Sequence, residues 1–321
     1  MSQKPSSHKP PKKHAYAALT PALAFQLAAP HTWAAALMPV LLSYVYCTIT
    51  FSGRLSILYG LVLLAICLLM QSAVNILNDY FDFKKGVDSK QNSSDDAFDA
   101  VLVYHDLNPR SVLALAVFFL VIAAALGLYL VAMVGWPLLV IGIIGAVIVV
   151  LYSGGKTPIS YLPIGEAVSG IVMGGLIPLA CCYALTGILQ PLVLLVSLPC
   201  IIGIGMILFT NNTCDVAKDR VAHRKTISVV LGHERAVRAY RATVLVWAVV
   251  IVALVGIFYS AGMPIVLVMF LAAFPTLRAL INNPLIPASR DGAMAQISQL
   301  NVVFGTFYCL ALAAGSFISW V

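Results

Sequence analysis

Residues 56–88 read SILYGLVLLAICLLMQSAVNILNDYFDFKKGVD. The stretch stays almost wholly apolar for about 20 residues, the length an α-helix needs to cross hydrocarbon. It then ends abruptly in Asn, Asp and Lys. Runs of the same character recur along the chain, at 33–52, 56–80, 111–134, 137–153, 165–188, 191–212, 236–258, 262–282 and 296–320. Their length and the absence of strand-like alternation exclude an outer-membrane barrel. They predict an all-α polytopic membrane protein with nine transmembrane helices in one bundle.

Composition agrees. The 321 residues are 61% hydrophobic and only 10% charged, against about 25% charged in soluble proteins, and the mean hydropathy is +0.97. Too little polar side chain is present to clothe a water-facing surface. Six of the seven cysteines lie inside apolar runs, where cysteine behaves as a small hydrophobe, so no disulfide framework is expected. The basic residues are scattered as membrane flanks without interleaved stacking aromatics, which argues against a nucleic-acid partner.

Charge orients the chain. With the N-terminus cytoplasmic, only Arg54 among the 19 Lys and Arg falls on the far side, and the positive-inside rule then places the C-terminus outside. Residues 1–15 are expected to form a disordered basic cytoplasmic tail. Residues 16–321 form the membrane domain, with cytoplasmic loops at 81–110 and 213–235. All 12 Asp and Glu also fall on the cytoplasmic side. Attraction to anionic lipid explains the lysines but not the carboxylates.

Four of those carboxylates fall, with asparagines, in two clusters. After the second span, Asn75, Asn78, Asp79 and Asp82 repeat at spacings of three and four, which at about 100° per residue puts them on one helical face. At the end of the sixth, Asn211, Asp215 and Asp219 repeat every four. Each cluster closes the cytoplasmic C-terminal end of an even-numbered helix, where the helix dipole disfavours an uncompensated carboxylate. Either cluster alone is readable as solvated helix-end polar residues. Their recurrence at matched positions favours a bound cation. Hard oxygen donors without His or Cys suit Mg²⁺, which completes its shell with water and substrate phosphate oxygens. Lys84 and Lys85 beside the first cluster, and Lys218, Arg220, Arg224 and Lys225 beside the second, suit a diphosphate. They are equally readable as positive-inside flanks. A third constellation, Tyr152-Ser-Gly-Gly-Lys156, closes the fourth span, with Glu166 nearby.

These motifs resemble the UbiA superfamily of intramembrane prenyltransferases, and within it the branch that prenylates 1,4-dihydroxy-2-naphthoate on the menaquinone pathway. The resemblance is carried by Asn78-x3-Asp82 within NxxNDYxDxxKGxD and by NNxxDxxxD at 211–219, followed by Thr226 and Val229 to Gly232. Ala29-Pro30-His31-Thr32-Trp33 with Pro39 is similar to the opening of the first family helix, and Tyr152-x3-Lys156 to a tyrosine and lysine beside the diphosphate. The 4-hydroxybenzoate branch places a further Asp at the position of Gly86; Asp88 is the candidate substitute here. Cys214 stands where the naphthoate branch usually carries Arg, and His223-Arg224 replaces a Gly-Lys pair.

The resemblance implies an enzyme that moves a polyprenyl group from a polyprenyl diphosphate to an aromatic acceptor, favouring 1,4-dihydroxy-2-naphthoate and yielding demethylmenaquinone. Asn78, Asp82, Asn211, Asp215 and Asp219 would hold Mg²⁺, two ions in all, with Asp79 and Asp88 as outer or alternate ligands. Lys84, Lys156, Arg224 and Lys225 would hold the diphosphate. Asp82, Asp215, Asp219, Lys156 and Tyr152 are the expected catalytic residues, and Tyr80, Phe81 or Tyr152 would shield an allylic cation. The site would face the cytoplasm from the cell membrane. Another acceptor such as 4-hydroxybenzoate is the alternative. A transporter is a second one, although it predicts charge spread across the membrane depth and a site near midplane.

Overall fold

The structure, a computed structural model, describes residues 16–51, 55–87 and 100–315. The expected tail at 1–15 and Asp88 lie outside the described residues. Among the described residues the architecture is helical without strands, with one bridged pair, Ala17 and Leu107. In chain order, α1 (Pro21–Leu27) leads through a 3-10 turn (Pro30–Thr32) into α2 (Ala34–Thr50). The first half continues with α3 (Ile57–Lys84), α4 (Val101–Tyr104), α5 (Pro109–Val134) and α6 (Pro137–Ser153). Next, α7 (Gly165–Ile171) runs through a π-helical segment (Val172–Leu176) into α8 (Ile177–Thr186), followed by α9 (Leu192–Val196) and α10 (Leu198–Cys214). The chain closes with α11 (Val216–Val221), α12 (Ile227–Leu231), α13 (His233–Phe258), α14 (Met263–Asn282) and α15 (Arg290–Gly315).

Among the described residues six segments are helical for long enough, and apolar enough, to cross a membrane: Ile57–Lys84, Pro109–Val134, Gly165–Thr186, His233–Phe258, Ser260–Asn282 and Pro287–Gly315. The first, fourth and sixth expected spans depart from a simple crossing. The first is bent by 55° between Pro21–Thr32 and Ala34–Thr50, after Ala29 adopts a left-handed φ of 49°. The fourth, Pro137–Ser153, has 17 residues, a rise of about 26 Å against a core of about 30 Å. The sixth breaks at Ser197 between α9 and α10, just before Pro199, which cannot donate to the preceding turn. The expected loops carry helix of their own, with α4 in the first and α11 and α12 in the second.

The outward faces explain the composition. Phe118, Val121 and Leu128 on α5, Leu245 on α13, and Leu271 and Phe274 on α14 are each more than half exposed. Water would penalise such a surface and lipid would not. Inward, Trp247 meets Phe304 edge-on at 4.8 Å, and Phe270 packs on the same ring at 5.7 Å.

The bundle closes on itself: α15 packs on α2 and α10, and α2 lies on α3 and α8. Contact of α7 with α10 rests on two glycines one turn apart. A Cβ on Gly170 would stand 2.4 Å from the Ile201 carbonyl oxygen, and one on Gly174 2.5 Å from the Ile201 backbone. Hydrogen atoms at both positions let the backbones touch, as at small-xxx-small crossings in membranes. The π segment has a local cause: Pro178 cannot donate to Gly174 four residues back, and Ile177 instead bonds the Val172 carbonyl at the wider spacing.

Candidate active site

The first motif occupies the last turns of α3, and the second runs from the end of α10 through α11. Asp215 caps α10, yet Asp219 N still bonds Asp215 O at 2.9 Å, so the two carboxylates stay one turn apart. After α11 the chain reverses through His223, whose φ of 56° is left-handed, and Arg224 N bonds back to Asp219 O at 2.9 Å. That reversal lays the Arg224 side chain over its own motif.

Arg224 joins the motifs. Its Nη2 lies 2.5 Å from Asp82 Oδ1 and its Nη1 3.5 Å from Asp219 Oδ1. Arg224 thus reaches a carboxylate 142 positions away in the sequence while holding one of its own motif. The Asp219 side chain is only 4% exposed. Burial pushes its carboxyl up to about 6, more than Arg224 pulls it down. Burial opposes charge on Arg224 too, but Asp82 and Asp219 outweigh it and hold the guanidinium above its usual value.

A second arginine was missed by sequence reasoning. Arg290, the first residue of α15, places Nε 3.0 Å and Nη2 2.5 Å from Asn211 Oδ1, with Nε 3.1 Å from Asp215 Oδ2. Nothing local marks it, since it lies 75 residues from Asp215 and reads as one more basic flank. Tyr161 was missed too. It ends a 3-10 turn (Ile159–Tyr161) beyond the Tyr152–Lys156 motif. Its ring lies 4.7 Å from Lys85 Nζ and 4.8 Å from Arg224 Cζ, and its carbonyl accepts from Lys225 N at 2.8 Å. Burial raises the Tyr161 phenol and lowers the Lys85 ammonium, the latter against the pull of Asp82. Lys85 Nζ donates to Ser153 O at 3.0 Å.

Other expected site residues are placed differently. Asn78 Oδ1 accepts from Ser153 Oγ, drawing the first motif onto the end of α6 next to Tyr152, which is half-buried. Asp79 Oδ2 accepts from Leu102 N at 3.2 Å, at the start of α4. Asn75 leaves the converging face expected of it: its Nδ2 donates to Ala28 O at 3.1 Å and Thr32 Oγ1 at 2.9 Å, tying α3 to the turn before α2. Glu166 accepts from Asn212 Nδ2 at 2.8 Å, which holds α7 to α10 beneath the site. Lys84, Lys156 and Lys225 have exposed side chains. Lys156 follows Gly155, whose φ of 84° turns the chain outward.

Among the described residues no three His, Cys, Asp or Glu side chains converge on one point. Arg224 stands between Asp82 and Asp219, and Arg290 between Asn211 and Asp215. The donor set still fits Mg²⁺, which characteristically takes one or two carboxylates and completes its shell with water and substrate phosphate. Asp82 and Asp219 are near enough to share a guanidinium, and Asn78 adds a neutral oxygen to the first motif. What the residues suit is a cation held jointly with an anionic ligand.

Comparison with known proteins gives a consistent pattern. The model of the UbiA prenyltransferase family matches residues 36–300. The chain is 34% identical over 297 residues to the 1,4-dihydroxy-2-naphthoate octaprenyltransferase of Bacillus subtilis (strain 168), covering 91% of this chain and 93% of that one. It is 31% identical over 209 residues to UbiA prenyltransferase domain-containing protein 1 of Xenopus tropicalis, covering 63% of this chain and 58% of the relative. A UbiA homologue from Archaeoglobus fulgidus, solved bound to DMAPP and Mg²⁺, superposes with a TM-score of 0.64 over 90% of this chain and 99% of its own, at 12% identity. That likeness is one of fold.

Proposed function

The chain belongs to the UbiA prenyltransferase family, and from that premise we propose that it transfers a polyprenyl group from an allylic polyprenyl diphosphate to 1,4-dihydroxy-2-naphthoate. The observation that carries this reading is Arg224 spanning Asp82 and Asp219, which gathers the acidic motifs of both halves around one cationic centre. The naphthoate acceptor is supported by the 34% identity to the Bacillus subtilis enzyme.

Asn78, Asp82, Asp215 and Asp219 would hold Mg²⁺, whose charge would offset the negative charge that develops on the diphosphate. Arg224 and Lys85 add fixed positive charge beside it, and Arg290 keeps Asn211 and Asp215 oriented from behind. The allylic C–O bond breaks and its electron pair leaves with the diphosphate. The ring carbon bearing the acceptor's carboxylate then forms the new C–C bond, and loss of CO₂ returns an electron pair to the ring. Phe81 and Tyr80, packed edge-on at 5.3 Å, offer π faces to the cation on the first-motif side. Exclusion of water by the surrounding apolar helices keeps that cation for the acceptor. The prenyl tail lies among the helices or reaches lipid between them.

The site is proposed to face the cytoplasm in a cell membrane crossed nine times, with the N-terminus inside. This rests on the one-sided distribution of the 19 basic residues.

The test uses purified protein, radiolabelled prenyl diphosphate and Mg²⁺, with dihydroxynaphthoate and 4-hydroxybenzoate in competition. A prenylated naphthol with stoichiometric CO₂ is expected. Prenylation of 4-hydroxybenzoate alone would replace the acceptor, and turnover indifferent to chelation would remove the metal. Asp82→Asn and Asp215→Asn are each expected to lower turnover at least about a hundredfold, the scale of losing a preorganised electrostatic contact, while expression and melting temperature persist.

A further inference from the structure

Tyr161 belongs to none of the acidic or basic motifs, yet its ring lies within 5 Å of two cations, Lys85 Nζ at 4.7 Å and Arg224 Cζ at 4.8 Å. Like charges gathered on one small aromatic surface repel; Asp82 and Asp219 pair directly with Arg224, while Lys85 feels Asp82 without pairing closely with it. Two polar atoms there, the Tyr161 hydroxyl and Arg224 Nε, are also buried and make no well-aligned hydrogen bond among the described residues, although the Arg224 side chain comes close enough to the hydroxyl to interact with it. A buried donor left without an acceptor is costly, and such groups in a folded protein call for an explanation. Both orphans are donors lying at one stack, beside the carboxylates that suit a metal-bound diphosphate. An anionic oxygen between them would satisfy both and relieve the repulsion.

We propose that Tyr161 is a substrate-contacting residue: its ring holds Lys85 and Arg224 in one site, and its hydroxyl donates a hydrogen bond to an oxygen of the departing diphosphate. The inference rests on the prenyl-transfer reading and adds a residue to it. No proton changes hands. The phenol keeps its hydrogen while the C–O electron pair passes to the diphosphate, and the hydrogen bond strengthens as that charge grows. The turn from Pro158 to Tyr161 becomes part of the diphosphate site. Through the bond from Lys225 N to the Tyr161 carbonyl, 2.8 Å long, the turn is fastened to the segment that carries Arg224.

The experiment compares Tyr161→Phe and Tyr161→Leu in the full-length purified protein, reading calorimetric binding of inorganic pyrophosphate with Mg²⁺ alongside steady-state prenyl transfer. Tyr161→Phe keeps the ring and loses only the donor. It is expected to weaken pyrophosphate binding about tenfold, the worth of one hydrogen bond to a charged oxygen, and to lower kcat similarly while KM for the prenyl diphosphate moves less than about twofold. Tyr161→Leu also loses the ring, and KM is expected to rise by at least about tenfold. A merely structural tyrosine would lower the melting temperature and leave pyrophosphate affinity in Tyr161→Phe unchanged, and that result overturns the proposal. The binding arm needs no acceptor, so it decides the role of Tyr161 even where dihydroxynaphthoate proves to be the wrong partner.

Discussion

Arg224 answers two opposite needs. Without a bound cation it keeps Asp82 and Asp219 from facing each other uncompensated, and with a diphosphate in place it is a cation the anion requires. Removing one partner of a buried charge cluster costs about 3–5 kcal/mol. Arg224→Gln is therefore expected to lower the melting temperature in chelator. Mg²⁺ should then raise that melting temperature more in the variant than in the parent, because the freed carboxylates take the ion in place of the guanidinium. Scanning fluorimetry with and without Mg²⁺ checks this, and an equal shift in both proteins would contradict it. Prenyl transfer should meanwhile fall by at least about a hundredfold, so that metal response and catalysis move in opposite directions. His223 adds a smaller lesson. It stands where the resembling branch carries Gly, and it takes a left-handed φ of 56° that Gly adopts without strain. The departure noted in the sequence thus falls at a position whose backbone conformation favours Gly. Neither Arg290 nor Tyr161 was visible from the sequence, because what recruits each is a partner on a distant segment.

At the scale of elements, the long apolar runs were legible because about 20 uninterrupted hydrophobic residues have one cheap solution in lipid. The breaks were less so. Ser197 before Leu198-Pro199 divides the sixth run, and hydropathy is blind to that stop, although a Ser two residues ahead of Pro is a helix-start signal. Asn75 shows the limit of helical-face arithmetic: it shares a face with the motif but is captured by Ala28 and Thr32 a turn below the rim. Contact of α7 with α10 is where packing bears most directly on the site, since Asn212 of α10 also holds Glu166 of α7. Gly174→Val would drive side-chain carbons into the Ile201 backbone. A loss of about 1–3 kcal/mol is expected from such overpacking, read as a lower melting temperature with reduced turnover. Gly142→Val, at a position open around its Cβ, should leave both nearly unchanged.

For the whole molecule, the proposed sidedness can be measured because all seven cysteines are buried and unpaired. A membrane-impermeant thiol reagent should leave the parent protein unlabelled. Cysteine introduced for Val221, which is 78% exposed, should react only from the cytoplasmic side, and cysteine for Leu189, 51% exposed, only from the opposite side. Labelling of both from one side would refute the arrangement of spans. Closure of α15 against α2 has a consequence in time as well as in space. The guanidinium that steadies Asn211 and Asp215 sits on the final helix, so a nascent chain halted after α14 would have its acidic residues inserted but unsteadied. Competence therefore waits on the delivery of α15, and copies halted before it stay silent in the bilayer.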